Sequence, residues 1–360
     1  MDIHSFLFTA LSFAVALAVL VFVHELGHFA VAKRLGVLVE RFSIGFGPVV
    51  LSRKWGETEY ALSAVPLGGY VKMLGEEDEA EAQANPARAF VTQRVSRRAA
   101  IVFAGPAMNL VFAFVVYALL YGLVGVDLPS TEPRVGGVSA GMPAERAGLK
   151  VGDRVVAIGD RPIATWEELS KAILGSKGER VVLTVERDGQ RFPLEVTPEL
   201  RDNRTLYGED AGKVYRIGIE ASHEWTHVSP LPAVGMAAEQ VWTASVVVLK
   251  GVVLMVQGRV PFSELGGPIA IARAAGQQAR AGLRYFLSML AFLSVDLAVL
   301  NLLPIPALDG GDLAFFAVEG VLRRPLRPRH REIAQQVGIL LLLTLMVFVF
   351  YNDIHRLFLS

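Results

Sequence analysis

His24 and His28, with Glu25 between them in the run His24-Glu25-Leu26-Gly27-His28, have the types and spacing of a metal-dependent hydrolytic site. Residues four apart on a helix share a face, so the two imidazoles can present to one metal. Glu25, one residue on from the first histidine, can reach water at that metal and take its proton. Zinc in a catalytic site takes three protein ligands and keeps a fourth position for water, so a third ligand must come from elsewhere. There is no cysteine, which leaves His, Asp or Glu. The strongest candidate is Asp309, in the run Asn301-Leu302-Leu303-Pro304-Ile305-Pro306-Ala307-Leu308-Asp309-Gly310-Gly311. Pro304 and Pro306 break a helix there, and the two glycines allow a sharp turn that can bring the carboxylate inward. His223 and His227 share the same spacing, but Glu224 lies between them, prolines follow, and no third ligand converges; they read as surface histidines.

The helix carrying the first pair must be apolar. Residues 6–23 carry no charge, and apolar character continues to Val31. Three further stretches are uncharged or nearly so: 99–126, 285–308 (interrupted only by Asp296) and 333–352. A helix needs about 20 mainly apolar residues to cross a bilayer, so these predict spans at 6–32, 99–124, 285–308 and 333–352. Composition agrees: 52% of the 360 residues are hydrophobic and 19% charged, against about 25% in an ordinary soluble domain. Mean hydropathy is +0.43. A cleaved signal peptide is a poor reading of the first stretch, because Asp2 and His4 stand where basic residues belong and no small-residue cleavage site follows. Lys plus Arg equals Asp plus Glu at 35 each, so no basic excess points to nucleic acid. Without cysteine, disulfides, thiolate ligands and a cysteine nucleophile are excluded.

Orientation follows from basic residues. Lys33, Arg34, Arg41, Arg53, Lys54, Arg94, Arg97 and Arg98 lie between the first two spans, and Arg323, Arg324, Arg327, Arg329 and Arg331 precede the last; both segments should be cytoplasmic. A fifth apolar segment, 234–256, contains Glu239, Gln240 and Lys250 and suits an amphipathic helix lying on the membrane as well as a span. Parity decides for the surface helix. One crossing at 285–308 returns the chain to the arginine-rich side, and His24 and Asp309 then share the cytoplasmic end of spans running the same way. Were 234–256 a crossing, Asp309 would face the opposite side.

Between the first two spans the pattern changes to short strands punctuated by Gly and Pro, over 42–46, 49–51, 59–65 and 69–73. A transmembrane substrate hides its peptide bonds in helical hydrogen bonds, and hydrolysis needs an extended segment. An exposed strand edge can supply backbone partners by strand addition, which makes Gly69, Tyr70 and Val71 candidate substrate-binding residues. The acidic stretch 76–81 reads as a solvated loop.

These motifs together resemble the site-2 protease family: the His24–His28 run in the first span, Gly105-Pro106-Ala107-Met108-Asn109 in the second and the Asn301–Gly311 run in the third. The run Gly68-Gly69-Tyr70-Val71-Lys72-Met73 is similar to the family's substrate-binding loop. The stretch 144–158 resembles the core of bacterial PDZ domains, with 166–174 as the helix beside the peptide groove. The resemblance covers nearly the whole chain and is to the bacterial branch, regulated intramembrane proteases that degrade anti-sigma factors. It implies Zn2+ held by His24, His28 and Asp309, Glu25 as general base, and Asn301, Pro304 and Asn109 near the scissile peptide. Family members commonly have Asn where this chain has Asp296 and His where it has Asp312. Gly266-Gly267-Pro268-Ile269 also resembles the family.

The expected fold is therefore a polytopic α-helical membrane protein with four transmembrane helices, a membrane-associated β-sheet loop at 41–75 and one inserted extracytoplasmic PDZ domain. Its parts are membrane core 1–125, PDZ domain 126–200, a linker 201–284 holding the surface helix, and membrane core 285–360. The expected activity is hydrolysis of peptide bonds within single-pass membrane proteins, such as anti-sigma factors or signal-peptide remnants, after a first extracytoplasmic cut. The expected setting is the bacterial inner membrane, with the active site toward the cytoplasm and peptide ends as partners for the PDZ groove. A non-catalytic scaffold binding partners through that groove is the alternative, disfavoured by the intact Glu25. A metal transporter is disfavoured because the ionisable residues cluster at one end.

Overall fold

A computed structural model of the chain describes residues 3–76, 79–204, 210–262, 266–324, 326 and 328–359. Asp2, Glu77, Asp78 and Arg327 lie outside these. Two compact units emerge, one formed by 1–120 with 230–360 and the other by 121–229.

The first helix, α1 (Ile3–Arg34), has 32 residues, about 48 Å at 1.5 Å each, more than the roughly 30 Å of bilayer hydrocarbon. Its apolar residues Phe6, Leu7 and Leu11 are exposed, as suits contact with lipid. Strands β1 (Val39–Trp55) and β2 (Thr58–Met73) follow. They are one hairpin folded over itself, and the short strands expected from the sequence join within it. Residues 39–44 pair on one side with 69–73 and on the other with 59–62, while 49–55 pair with 58–63. The segment 69–73 is therefore an edge of this sheet. The acidic stretch is not all loop, because helix α2 (Glu79–Ala84) begins within it. Helix α3 (Val95–Leu119) continues into a wider turn over Leu120–Val124.

The second unit contains β3 (Val126–Pro129), β4 (Val135–Val138), α4 (Pro143–Arg146), β5 (Arg154–Ile158), β6 (Arg161–Pro162), α5 (Trp166–Gly175), β7 (Val181–Arg187), β8 (Gln190–Val196), β9 (Glu199–Arg204), β10 (Asp210–Arg216), β11 (Ile219–Ala221) and β12 (His223–Thr226). A four-stranded antiparallel sheet in the order β6-β5-β7-β8 packs its apolar face on α5 through Leu169, Ile173, Leu183 and Val185. Thr165 and Glu168 close a reciprocal capping box at the start of α5. The unit runs past residue 200, where a linker was expected, because β11 returns to pair with β4 and β12 with β3, and Ile217 enters the core. His223 stands on this outer strand, exposed, 3.4 Å from Asp127.

The first unit resumes with α6 (Pro230–Val256), α7 (Pro268–Ala281), α8 (Leu283–Asn301), α9 (Asp309–Leu322) and α10 (Pro328–Leu359). Among the described residues, five helices are long and apolar enough to cross a membrane: α1, α3 with its wide turn, α6, α8 and α10. The expected third span is helical only to Asn301, because Pro304 and Pro306 interrupt it and Ala307 takes a left-handed φ of 83° before α9 starts. Helices α1 and α3 are antiparallel: His28 meets Ile101, and His24 meets Asn109. Helix α8 runs parallel to α1. Arg280, just before it, bonds Ser5; Leu290 packs with Ala16 and Leu20; Asp309, just after it, meets His24. Asp353 of α10 caps α7 from outside, accepting from the amides of Gly267, Ile269 and Ala270. A Cβ at Gly267 would collide with this carboxylate, which gives the Gly266–Ile269 run a structural purpose.

Candidate active site

His24 and His28 occupy successive turns of α1 and are each 8% exposed. Their Nε2 atoms lie 3.1 Å apart. Asp309, at the first position of α9, brings Oδ2 to 3.1 Å from Nε2 of His24 and 3.6 Å from Nε2 of His28. Among the described residues this is the one group of three or more His, Asp or Glu side chains placed to hold a metal. Its position at a helix start suits a carboxylate, whose negative charge faces the positive end of the α9 dipole. Gly310 and Gly311 permit that start, since a Cβ on either would meet the backbone of the 302–306 segment.

The outer nitrogens decide what the inner ones can do. Nδ1 of His28 lies 2.9 Å from the carbonyl of Ile101, which only accepts, so Nδ1 carries the proton and Nε2 a lone pair. Nδ1 of His24 lies 3.2 Å from the Asn109 amide, which is fully buried. Asn109 Oδ1 otherwise has no partner. A half-turn of the amide lets that oxygen accept from Nδ1–H, freeing Nε2 of His24 as well. Oδ2 of Asp309 is likewise buried without a hydrogen-bond donor. Three potential ligand atoms thus converge on one point, an arrangement that fits a cation. Tetrahedral zinc, with donors at about 2.0–2.2 Å, keeps them about 3.3–3.6 Å apart, close to the spacing found.

Gly105 makes room for the rings. A Cβ there would overlap Nε2 and Cε1 of His28 and stand 2.9 Å from Cε1 of His24. Glu25 is half-buried on the side of α1 facing the hairpin, and a Cβ on Gly69 would stand 3.1 Å from Glu25 Cγ. The sheet edge at 69–73 therefore passes beside Glu25. Tyr70 is half-buried, accepts from Arg41 and stacks on Phe46, while Val71 is buried in the core beneath.

The sequence profile of Peptidase family M50 matches residues 12–345. The chain belongs to that family. It is 36% identical to a Brucella suis biovar 1 protein named as a zinc metalloprotease, over 96% of this chain and 95% of that one. It is 38% identical to a Mesorhizobium japonicum protein of the same name, over 97% and 99% of the two chains. For a Neisseria meningitidis serogroup A relative, also so named, identity is 32% over 97% and 99%. Among solved structures, the PDZ domain of an SdrC-like protein from Listeria monocytogenes aligns with 27% of this chain and 93% of its own, at 18% identity and a TM-score of 0.21. The protein is an intramembrane zinc metalloprotease of the site-2 type, as its motifs imply, and zinc is its metal.

Against the expected substrate-binding residues, the structure divides the set. Pro304 is exposed and Asn301 half-buried at the end of α8, whereas Asn109 is turned to His24 and has no exposed surface. Asp312 pairs with Arg331 at 2.8 Å, which accounts for a carboxylate there. Asp296 is half-buried on α8 and nothing in the structure explains it. The Ile101 carbonyl was not legible as a site group, since any residue type supplies one. Gly105 was visible in its motif, but not as the cradle of the rings.

Proposed function

We propose that His24, His28 and Asp309 hold the zinc, that Glu25 is the general base and acid, and that substrate enters as a strand added to the edge at 69–73. The observation that carries this reading is the convergence of ligand atoms from His24, His28 and Asp309 within 4.8 Å of one another, with Glu25 the residue after His24 on α1. Bound zinc supplies Lewis acidity, lowering the pKa of water toward ~7 and polarising a carbonyl. Glu25 takes a proton from the attacking water as the new C–O bond forms, then delivers it to the leaving amine as the C–N bond breaks. The strand edge beside Glu25 holds the scissile segment extended, with its carbonyl turned to the site. Asn301 and Pro304, at the break between α8 and α9, border the same segment.

The substrates are single-pass membrane proteins already cut on the outer side, and the PDZ-like unit receives peptide ends. The chain spans a bacterial inner membrane four times, with the site toward the cytoplasm and residues 121–229 outside. The parallel course of α1 and α8 supports this count. Helix α7 lies at the end of α1 marked by Ser5 and Thr9. If α6 crossed, the chain would have to cross the bilayer once more before α7 to reach that end of α1.

The test is to purify the protein in detergent and compare zinc content and cleavage of a transmembrane substrate for wild type and Glu25→Gln. Retained zinc with cleavage lowered by at least about 100-fold is expected for loss of a general base. Equal cleavage by the variant, or a wild type without zinc, would end the assignment.

A further inference from the structure

Helix α3 meets every element that carries a metal ligand. Arg98, Ile101, Gly105 and Asn109 follow one another at spacings of three and four, which stack on one helix face. The last three serve α1: Ile101 and Asn109 hold the outer nitrogens of His28 and His24, and Gly105 admits both rings. Arg98 reaches α9 instead. Its Nη2 donates to Oε2 of Glu319 at 2.6 Å across 221 residues of sequence, with the two residues 8% and 7% exposed. The other carboxylate oxygen of Glu319 accepts from the Leu326 amide. The Arg98 guanidinium also stands 4.7 Å from the ring centroid of the buried Phe316, which Arg331 approaches to 5.7 Å while bonding Asp312. Asp309, Asp312, Phe316 and Glu319 again fall at spacings of three and four, so one face of α9 carries the ligand and its anchors.

A buried ion pair is a poor source of stability, because desolvation consumes much of the Coulomb gain and apolar residues of like volume would serve. What such a directional pair adds here is a single docking geometry. That geometry matters because α9 is short, 14 residues, and is joined to α8 by a proline-interrupted turn with no helix of its own. The position of Asp309 is then set by how α9 docks on α3.

We infer that Arg98 is a positioning residue for the third metal ligand: through Glu319 and Phe316 it fixes α9, and so the Asp309 carboxylate, against the same face of α3 that orients both imidazoles. The inference rests on the zinc assignment above. It is tested on the full chain in detergent by stripping zinc and measuring the zinc Kd through competition with a chromogenic chelator, with kcat and KM alongside. Arg98→Met and Glu319→Gln should each weaken zinc about 10–100-fold, the range for partners that orient metal ligands. The double variant should be no worse than the weaker single one, because both act through one bond. Arg98→Lys should recover part of the affinity, and at saturating zinc kcat should fall while KM holds. If Arg98→Met does not fold, the isosteric Glu319→Gln answers the same question. A zinc Kd within about twofold of wild type in the folded variants, or fully additive losses in the double, would overturn the inference. Asp309→Ala separates the two levels. If it abolishes zinc binding while the Arg98 and Glu319 variants keep wild-type affinity, only the positioning role falls; if it binds zinc normally, the site assignment falls.

Discussion

Each imidazole of the site has one nitrogen engaged outside the metal position, and this sets the chemistry of the other. A neutral imidazole with Nδ1 protonated offers Nε2 as a ligand, so the Ile101 carbonyl, and the Asn109 amide once its oxygen is turned to Nδ1, favour the tautomer that the proposed zinc site needs. The rings can adopt these positions only because residue 105 has no side chain. Gly105→Ala should therefore displace His28, since the new methyl would occupy the space of its Nε2 and Cε1. Zinc content measured after purification should fall well below one per chain, with helical content unchanged because Ala is a good helix former. Zinc at the wild-type level in this variant would show that the rings can shift without loss.

At the scale of elements, the hairpin's proposed part in holding substrate follows from its strand order. Its central segment 39–44 is paired on both sides, which leaves 69–73 as an outer strand by the topology of the sheet rather than by its own composition. Proline lacks the amide proton and is tolerated poorly in a paired strand. Tyr70→Pro should lower turnover while leaving zinc content intact, because the edge runs beside Glu25 at Gly69, where an added Cβ would crowd Glu25 Cγ, but supplies no His, Asp or Glu to a metal. Equal turnover would remove the strand-addition reading. The short strands were legible in the alternation of Phe42, Ile44 and Phe46. Which of them would be an edge was not, since period-two patterning reports a buried face and not a neighbour.

At the scale of the molecule, the number of crossings is testable because the chain has no cysteine of its own. Single cysteines at Arg53, Asp160 and Gln257 can be probed with a membrane-impermeant maleimide in intact cells and in inverted vesicles. With four spans, Gln257→Cys labels from the same side as Asp160→Cys, and Arg53→Cys from the other. Labelling of Gln257→Cys together with Arg53→Cys would make α6 a crossing. The unit 121–229 has its own acid sensitivity. Burial opposes ionisation of Asp153, but two bonds from Arg187 and one from the Lys150 amide outweigh it and hold its pKa below the ordinary 3.8. A carboxyl whose pKa is depressed on folding stabilises the fold above its unfolded value and ceases to do so as pH falls through the folded one. Hydrogen exchange across 121–229 should report lost protection as pH drops below about 3.8. Asp153→Asn should weaken the unit by about 1–3 kcal/mol at neutral pH and flatten that acid response.

The sequence by itself determined what depends on near neighbours. Imidazoles four residues apart must share a helix face, long uncharged runs must seek lipid, and Pro304 and Pro306 must break the helix before Asp309. The tertiary structure decided what depends on partners far apart in the chain. Arg98, a basic residue among others beside a span, is buried against Glu319. Asn109 serves His24 rather than an open groove, and a carbonyl that any residue could supply orients His28. Periodicity and steric rules act within a turn or two and can be read along the chain. Hydrogen bonds between helices depend on their packing, which no local stretch of sequence encodes.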